Sequence, residues 1–188
     1  MKTDKPTSRT DKVGLPFFAY HPDPLTTGSV RPGPESCACC GQERGYVYTA
    51  SVYGVNDLEG HLCPWCIADG SAACRHEASF SDGTPLLQAG VPVDVVEEIT
   101  RRTPGYNSWK QEQWLSCCGD ACEFHGNPSR EHLPLMDPTA VAQFLAATGW
   151  TPEQWLEFSG TYEPGASPAL YHFVCRGCGK SKYGWDRN

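Results

Sequence analysis

The 188-residue sequence contains no apolar run near the ~18 residues that a membrane-crossing helix needs. Its opening stretch, MKTDKPTSRTDK, has no apolar core, so it does not read as a secretory leader. A glycine-rich phosphate loop is missing, and so is His-Glu-x-x-His. The deaminase order, His-x-Glu followed by Pro-Cys-x-x-Cys, is not met either: His76 precedes Glu77 directly, and the Cys63-Pro64-Trp65-Cys66 motif lies before both. These absences argue against a membrane span, P-loop nucleotide chemistry and two kinds of zinc hydrolase. A soluble, cytoplasmic protein is expected.

Positive charge is scarce except at the ends. The formal net charge is −7, with +2 on residues 1–14, +3 on residues 171–188 and −12 between them. Two zinc ions, each held by four thiolates, would take the total to about −11. Such a chain repels a phosphate backbone everywhere but at its basic C-terminal end. What the sequence does have is 21 Trp, Tyr and Phe, more than a disordered chain carries, and 11 cysteines. An odd count cannot be satisfied by disulfides alone, and cytosolic thiols stay reduced, so clustered cysteines there point to metal or catalysis first.

The expected fold class is α+β, with two zinc-ribbon-like four-cysteine knuckle sites, small β-hairpins and three to four short helices. Residues 1–14 are expected to be a disordered tail, 15–90 an N-terminal zinc-ribbon-like part, and 91–188 a helical part with a second knuckle, either separate from the first or continuous with it. Pro16, Pro22 and Pro24 forbid a helix in LPFFAYHPDPLTTGS. Residues 31–36 read as a loop. Residues 45–51 and 51–55 read as strands of a hairpin, and the segment after Pro64 as a short helix. Pro92 suits a first helical turn ahead of Val95, Val96 and Ile99. Asp137 is an expected N-cap with Pro138 at the first position; Val141, Phe144, Leu145 and Thr148 mark one face, and Gly149 the stop. Thr151 and Gln154 form a capping box before Trp155, Leu156 and Phe158. Residues 168–174 read as a strand.

Zinc takes tetrahedral sets of soft sulfur ligands, and Cys-x-x-Cys lets one turn present two sulfurs to one ion. Cys37-x-x-Cys40-Gly41 and Cys63-x-x-Cys66 fit one such site, separated by 22 residues that a hairpin would fill. Cys39 is expected to point away and His61 to lie on the surface. Taken alone, Cys63-Pro64-Trp65-Cys66 also suits a redox dithiol, but that chemistry wants a βαβ scaffold that the flanking sequence does not offer. A second site needs Cys175-x-x-Cys178-Gly179 and a partner pair. The spacing allows Cys118 with Cys122 or Cys117 with Cys122, and His125 is a substitute ligand. The intervening 52 residues hold the two capped helices. Cys37–Gly41 and Cys175–Gly179 read as two copies of one local turn. Cys74 is expected to be an ordinary core thiol.

LPFFAYHPDPLTTGS, CACCGQERGYVYT, CPWCIADGSAA, RTPGYNSW, EQWLSCCGDACEF and CRGCGK together resemble the CbrC-like proteins, a bacterial family of uncharacterised function in which some members carry a colicin-tolerance name. The resemblance spans residues 15–188 and implies a cytoplasmic bacterial protein with no assigned reaction. Its His-Cys-Gly-Asp-x-Cys pattern implies Cys118 and Cys122 as the ligand pair, with Cys117 standing where histidine is the family's residue. Ala50-Ser51 stands where the family tends to Gly-Pro.

The expected metal ligands are therefore Cys37, Cys40, Cys63 and Cys66 at one zinc ion, and Cys118, Cys122, Cys175 and Cys178 at the other. No catalytic residue is expected. A His21–Asp23 pair is better read as part of a rigid extended segment, Asp69 and Ser71 as capping residues, and Trp109 and Trp114 as core. The expected role is a structural zinc protein that binds a protein partner in toxin tolerance or stress. The alternative is nucleic-acid binding through Arg176, Lys180, Lys182 and Arg187 with Tyr183 and Trp185.

Overall fold

The prolines keep a helix out of the first stretch of the chain, as expected, but the backbone turns at residues 19–20 and 24–28 and is not extended. In the computed structural model, which describes residues 14–55 and 57–188, this stretch runs without regular structure to strand β1 (Val30–Pro32). The expected tail at residues 1–14 lies, apart from Gly14, outside the described residues. β1 pairs antiparallel with β2 (Tyr46–Tyr48), and Tyr48 also bridges to Leu62. The hairpin expected between residues 45 and 55 does not form: β2 takes its partner from the segment read as a loop, and Tyr53 makes a single bridge to Ser79. Arg31 and Pro32 are exposed while Val30 is buried, so one anchoring side chain decides this short pairing.

Short helices α1 (Pro64–Ala68), α2 (Ser71–His76) and α3 (Thr84–Gln88) follow, then α4 (Val93–Arg102). Pro92 stands just before α4 as its N-cap, and Val96 and Ile99 are its buried face. Strands β3 (Ser116–Cys117) and β4 (Asp120–Phe124) form a tight hairpin. A 3-10 turn at Arg130–Leu135 leads to α5 (Pro138–Thr148) and α6 (Pro152–Thr161). Both carry the expected caps. The Asp137 carboxylate accepts from the Thr139 N–H at 2.6 Å, Gly149 closes α5 at φ 72, and Thr151 and Gln154 complete their reciprocal box. Strands β5 (Ala169–Cys175) and β6 (Ser181–Asp186) complete a four-stranded antiparallel sheet in the order β3-β4-β5-β6. Six α-helices among the described residues exceed the three or four expected; α1 is the short helix expected after Pro64, whereas α2 and α3 are too short to show a helical period.

The core is three clusters of buried side chains. One lies under the first cysteine group and joins Phe18, Tyr48, Leu62, Ile67 and Phe80. The second packs Tyr106, Trp114, Phe124, Tyr171 and Phe173 between α4 and the sheet. Its rings meet in stacked and edge contacts; Tyr106 stacks on Phe124 with centroids 4.2 Å apart. The third gathers Phe144, Phe158, Tyr162, Leu170 and Tyr183 beneath α5 and α6. Aromatic residues supply large buried area in a chain built of short elements. Trp114 is buried as expected, but Trp109 is 45% exposed, its indole N–H donating to the Ala166 carbonyl.

His21 belongs to this framework and not to a catalytic pair. It is fully buried, with Nδ1 2.7 Å from the Pro104 carbonyl and Nε2 2.6 Å from the Thr27 hydroxyl. The carbonyl requires an N–H at Nδ1, so Nε2 accepts from Thr27. Burial holds the imidazole at a pKa of about 4, down from 6.5. The unfolded chain takes up this proton first, so the contribution is intact above pH 6.5 and is lost progressively as pH falls toward about 4. Between about pH 7 and pH 5 the group is expected to remove about 2 kcal/mol of stability. Urea unfolding of wild type and His21→Gln at both pH values checks this; the variant should lose less on acidification.

Gly105 shows what close packing demands. A Cβ there would lie well inside contact distance of the Phe80 carbonyl oxygen and 2.9 Å from the Tyr48 hydroxyl. The Gly105 N–H donates to that hydroxyl at 3.2 Å, which in turn donates to the Ser51 carbonyl at 2.9 Å. Backbone and a buried ring cannot give way cheaply, so Gly105→Ala is expected to cost about 3 kcal/mol, read as a lower urea midpoint.

Candidate metal centres

The first group is assembled from two turns. Cys37–Gly41 is a knuckle in which the Gly41 N–H donates to the Cys37 carbonyl at 2.7 Å, and Gly41 sits at φ 71, where a side chain would be strained. Cys63 arrives because Leu62 is tied to Tyr48, whose N–H donates to the Leu62 carbonyl at 2.8 Å. Cys63 then stands as the N-cap of α1 in an extended conformation, making no side-chain cap bond. The Sγ atoms of Cys37, Cys40, Cys63 and Cys66 all lie within 4.8 Å of one another, with Cys40 and Cys63 3.9 Å apart. These are the four residues expected from the spacing. Cys39 is buried outside the group, its Sγ 3.5 Å from the Ser71 hydroxyl and its carbonyl accepting from Arg75; His61 is exposed.

The second group differs from expectation at one ligand. The sulfurs of Cys117, Cys118, Cys175 and Cys178 lie within 4.8 Å of one another, and Cys122 is not among them. The cause is the β3–β4 turn. Cys117 pairs with Asp120, leaving Cys118 and Gly119 as a two-residue loop at φ 56 and 75. Positive φ at both positions is the primed turn that suits twisted strands, and it brings Cys117 and Cys118 together at the hairpin end. Cys122 lies further along β4, directly across from Cys175, fully buried beside Trp114, whose indole N–H donates to the Cys122 carbonyl at 2.7 Å. Burial pushes its thiol up to about 12. His125 stands beyond the end of β4, 3.2 Å from the Glu123 carboxylate and outside the group. The missed signal was Cys118-Gly119 itself, an x-Gly pair between two strand-like runs. Cys74, expected in the core, is exposed.

The two knuckles repeat one another closely. Gly179 has φ 69, its N–H donates to the Cys175 carbonyl at 2.8 Å, and the Cys175 N–H donates to the Lys180 carbonyl at 2.9 Å. The Cys37 N–H reaches the Gln42 carbonyl in the same way at 3.0 Å. Electrostatics repeat as well. Desolvation raises Cys37 and Cys175, but N–H groups aimed at each sulfur outweigh it and bring both thiols down to about 7. Burial pushes Cys63 up to about 11 and Cys66 further, with the neighbouring sulfurs adding to it. Hydrogen bonding to the sulfurs of Cys117 and Cys178 raises Cys118 to about 12. One thiolate in each group is thus readily formed, while Cys63, Cys66, Cys117 and Cys118 hold their protons more tightly unless a cation offsets the repulsion between sulfurs.

Sulfur spacing in both groups is compatible with a tetrahedral metal ion. A tetrahedron with metal–sulfur bonds of ~2.3 Å has sulfurs about 3.8 Å apart. Cys117 Sγ is 3.8 Å from Cys118 Sγ and 3.9 Å from Cys178 Sγ, matching the 3.9 Å of the first group. These separations are far beyond a disulfide bond. Both groups can therefore hold a metal ion.

The surroundings of the second group bear on the basic C-terminal end. Arg176 pairs with Asp120 at 3.3 Å and Glu123 at 3.8 Å and lies over the Tyr20 ring. Tyr183 is buried, stacked on His172 and 3.0 Å from His132 Nε2; Trp185 meets Trp150 edge-on at 4.8 Å. Both aromatics that a single-stranded nucleic acid would stack on are engaged within the protein. Among the described residues, no helix is long and apolar enough to cross a membrane.

Fold and sites together define a small α+β protein organised around two four-cysteine clusters. The chain belongs to the uncharacterised protein family UPF0167, whose profile matches residues 15–187. It is 51% identical over 173 residues to a UPF0167 protein of Pseudomonas aeruginosa, covering 92% of this chain and 97% of that one. UPF0167 proteins of Mycobacterium bovis and Mycobacterium tuberculosis are each 42% identical over 167 residues, covering 88% of this chain and 89% of theirs. No solved structure matches.

Proposed function

We propose that the clusters hold two structural zinc ions and that the protein is a cytoplasmic protein-interaction module acting in toxin tolerance or stress. The observation that supports this is that the four sulfurs of each group lie within 4.8 Å of one another, with Cys40–Cys63, Cys117–Cys118 and Cys117–Cys178 at 3.8–3.9 Å. Zinc suits all-sulfur tetrahedral sets and brings no redox chemistry of its own. Four sulfurs leave no position for a metal-bound water, so the sites stabilise the fold and do not hydrolyse. The −12 charge on residues 15–170 favours a basic partner surface. The resemblance to CbrC-like proteins is what suggests toxin tolerance. Elemental analysis and native mass spectrometry of purified, reduced protein should find two zinc ions per chain. A compact chain free of metal would overturn the reading. A partner retained after nuclease treatment and weakened by salt is expected, whereas single-stranded DNA should give no mobility shift at low salt.

A further inference from the structure

The two clusters share a knuckle but differ in what covers them. In the first, Cys37, Cys63 and Cys66 are buried at 1–3% exposure and only Cys40 is half-buried. They lie against Leu62, Ile67 and the half-buried Trp65. In the second, Cys118 and Cys178 are exposed, Cys117 is half-buried and only Cys175 is buried. Cys118 and Cys178 sit on turns at the end of the sheet and are exposed among the described residues. Oxidation of a cysteine needs thiolate character and access to the oxidant. Metal ligation supplies thiolates in both clusters, so access separates them.

We propose that the second cluster is a modification site for peroxide-class oxidants, at which Cys178 and Cys117 form a disulfide and release the metal while the first cluster keeps its ion. This rests on the reading of both clusters as zinc sites. The exposed Cys178 thiolate attacks one peroxide oxygen. An S–O bond forms, the O–O bond breaks and hydroxide leaves, giving the sulfenic acid. The Cys117 thiolate, 3.9 Å away, then attacks the Cys178 sulfur. The S–S bond forms, the S–O bond breaks and a second hydroxide departs. Two thiolates lose two electrons and the peroxide gains them. Cys118 is also close to Cys117, at 3.8 Å, but a bridge between sequence neighbours closes a strained small ring, whereas residues 117 and 178 lie on separate strands and turns. Cys118 and Cys175 alone are too few ligands to retain the ion.

The test uses the full chain with Cys74→Ser, because Cys74 is exposed and would consume oxidant without belonging to either cluster. Metal is counted by native mass spectrometry before treatment. Hydrogen peroxide is then added with a chromogenic zinc chelator, and disulfides are mapped on proteolytic peptides. One ion should leave about tenfold faster than the other, together with a Cys117–Cys178 peptide, and dithiothreitol with zinc should restore it. Simultaneous loss of both ions, retention of both, or a first disulfide within residues 37–66 would overturn the proposal. A chain with no zinc at the outset refutes the metal reading instead. On that chain the order of thiol oxidation still decides whether Cys117 and Cys178 react first.

Discussion

Cys63→Ser is expected to unfold the N-terminal half of the chain and to lower the metal count from two to one. Cys63 is 1% exposed, stands 3.9 Å from the Cys40 sulfur, donates its N–H to the Cys37 sulfur at 3.3 Å and caps α1. Serine is a hard, poorly acidic ligand and leaves two buried sulfurs and the half-buried Cys40 with no ion to neutralise them. Structural zinc contributes on the order of 10–16 kcal/mol in small zinc-dependent folds, comparable to the whole stability of a domain. The elements around this cluster are three-residue strands and helices of five and six residues, too short to persist alone. A lowered thermal midpoint, loss of far-ultraviolet circular dichroism and one ion fewer in the native mass spectrum are the expected readouts. Full solubility and unchanged melting would remove the structural role.

The second large effect separates two neighbouring cysteines. Cys117→Ser is expected to abolish one metal ion, whereas Cys122→Ala should leave two ions bound and cost about 1–2 kcal/mol as a small cavity in the aromatic core. The contrast follows from position. Cys117 lies at the end of β3, within 4 Å of two cluster sulfurs, while Cys122 is buried two pairs deep in the hairpin. Native mass spectrometry of the two variants decides it. The reverse result, with Cys122→Ala losing the ion, would restore the expected Cys118–Cys122 pair.

How much of this was legible in the residues differs from element to element. Helices α5 and α6 were readable because their caps are local: Asp137, Gly149 and the Thr151–Gln154 pair satisfy backbone groups within one turn of their own position. Both knuckles were readable for the same reason, since Cys-x-x-Cys-Gly carries its geometry within five residues, and the first cluster was readable from the spacing of its two Cys-x-x-Cys pairs. The partner of β2 was not readable. Its strand is three residues long, and which neighbouring segment it joins is decided by long-range burial of Val30, Val47 and Leu62. Cys117 stayed an open alternative, but its grouping with Cys118 in place of Cys122 was not readable, because a one-position choice along a strand end changes which way a sulfur faces, and only the Cys118–Gly119 turn settles it.

The residue sequence by itself determined that cysteines would gather in fours, that two knuckle turns would recur, where α5 begins and ends and where α6 begins. These are consequences of ligand chemistry and of hydrogen bonds made over a few residues. Only the tertiary structure decided which cysteine completes the second cluster, which cluster is covered and which is open, and that His21, Tyr183 and Trp185 face inward. Those outcomes depend on contacts between segments tens of residues apart, whose energies are set by packing and not by the local chain.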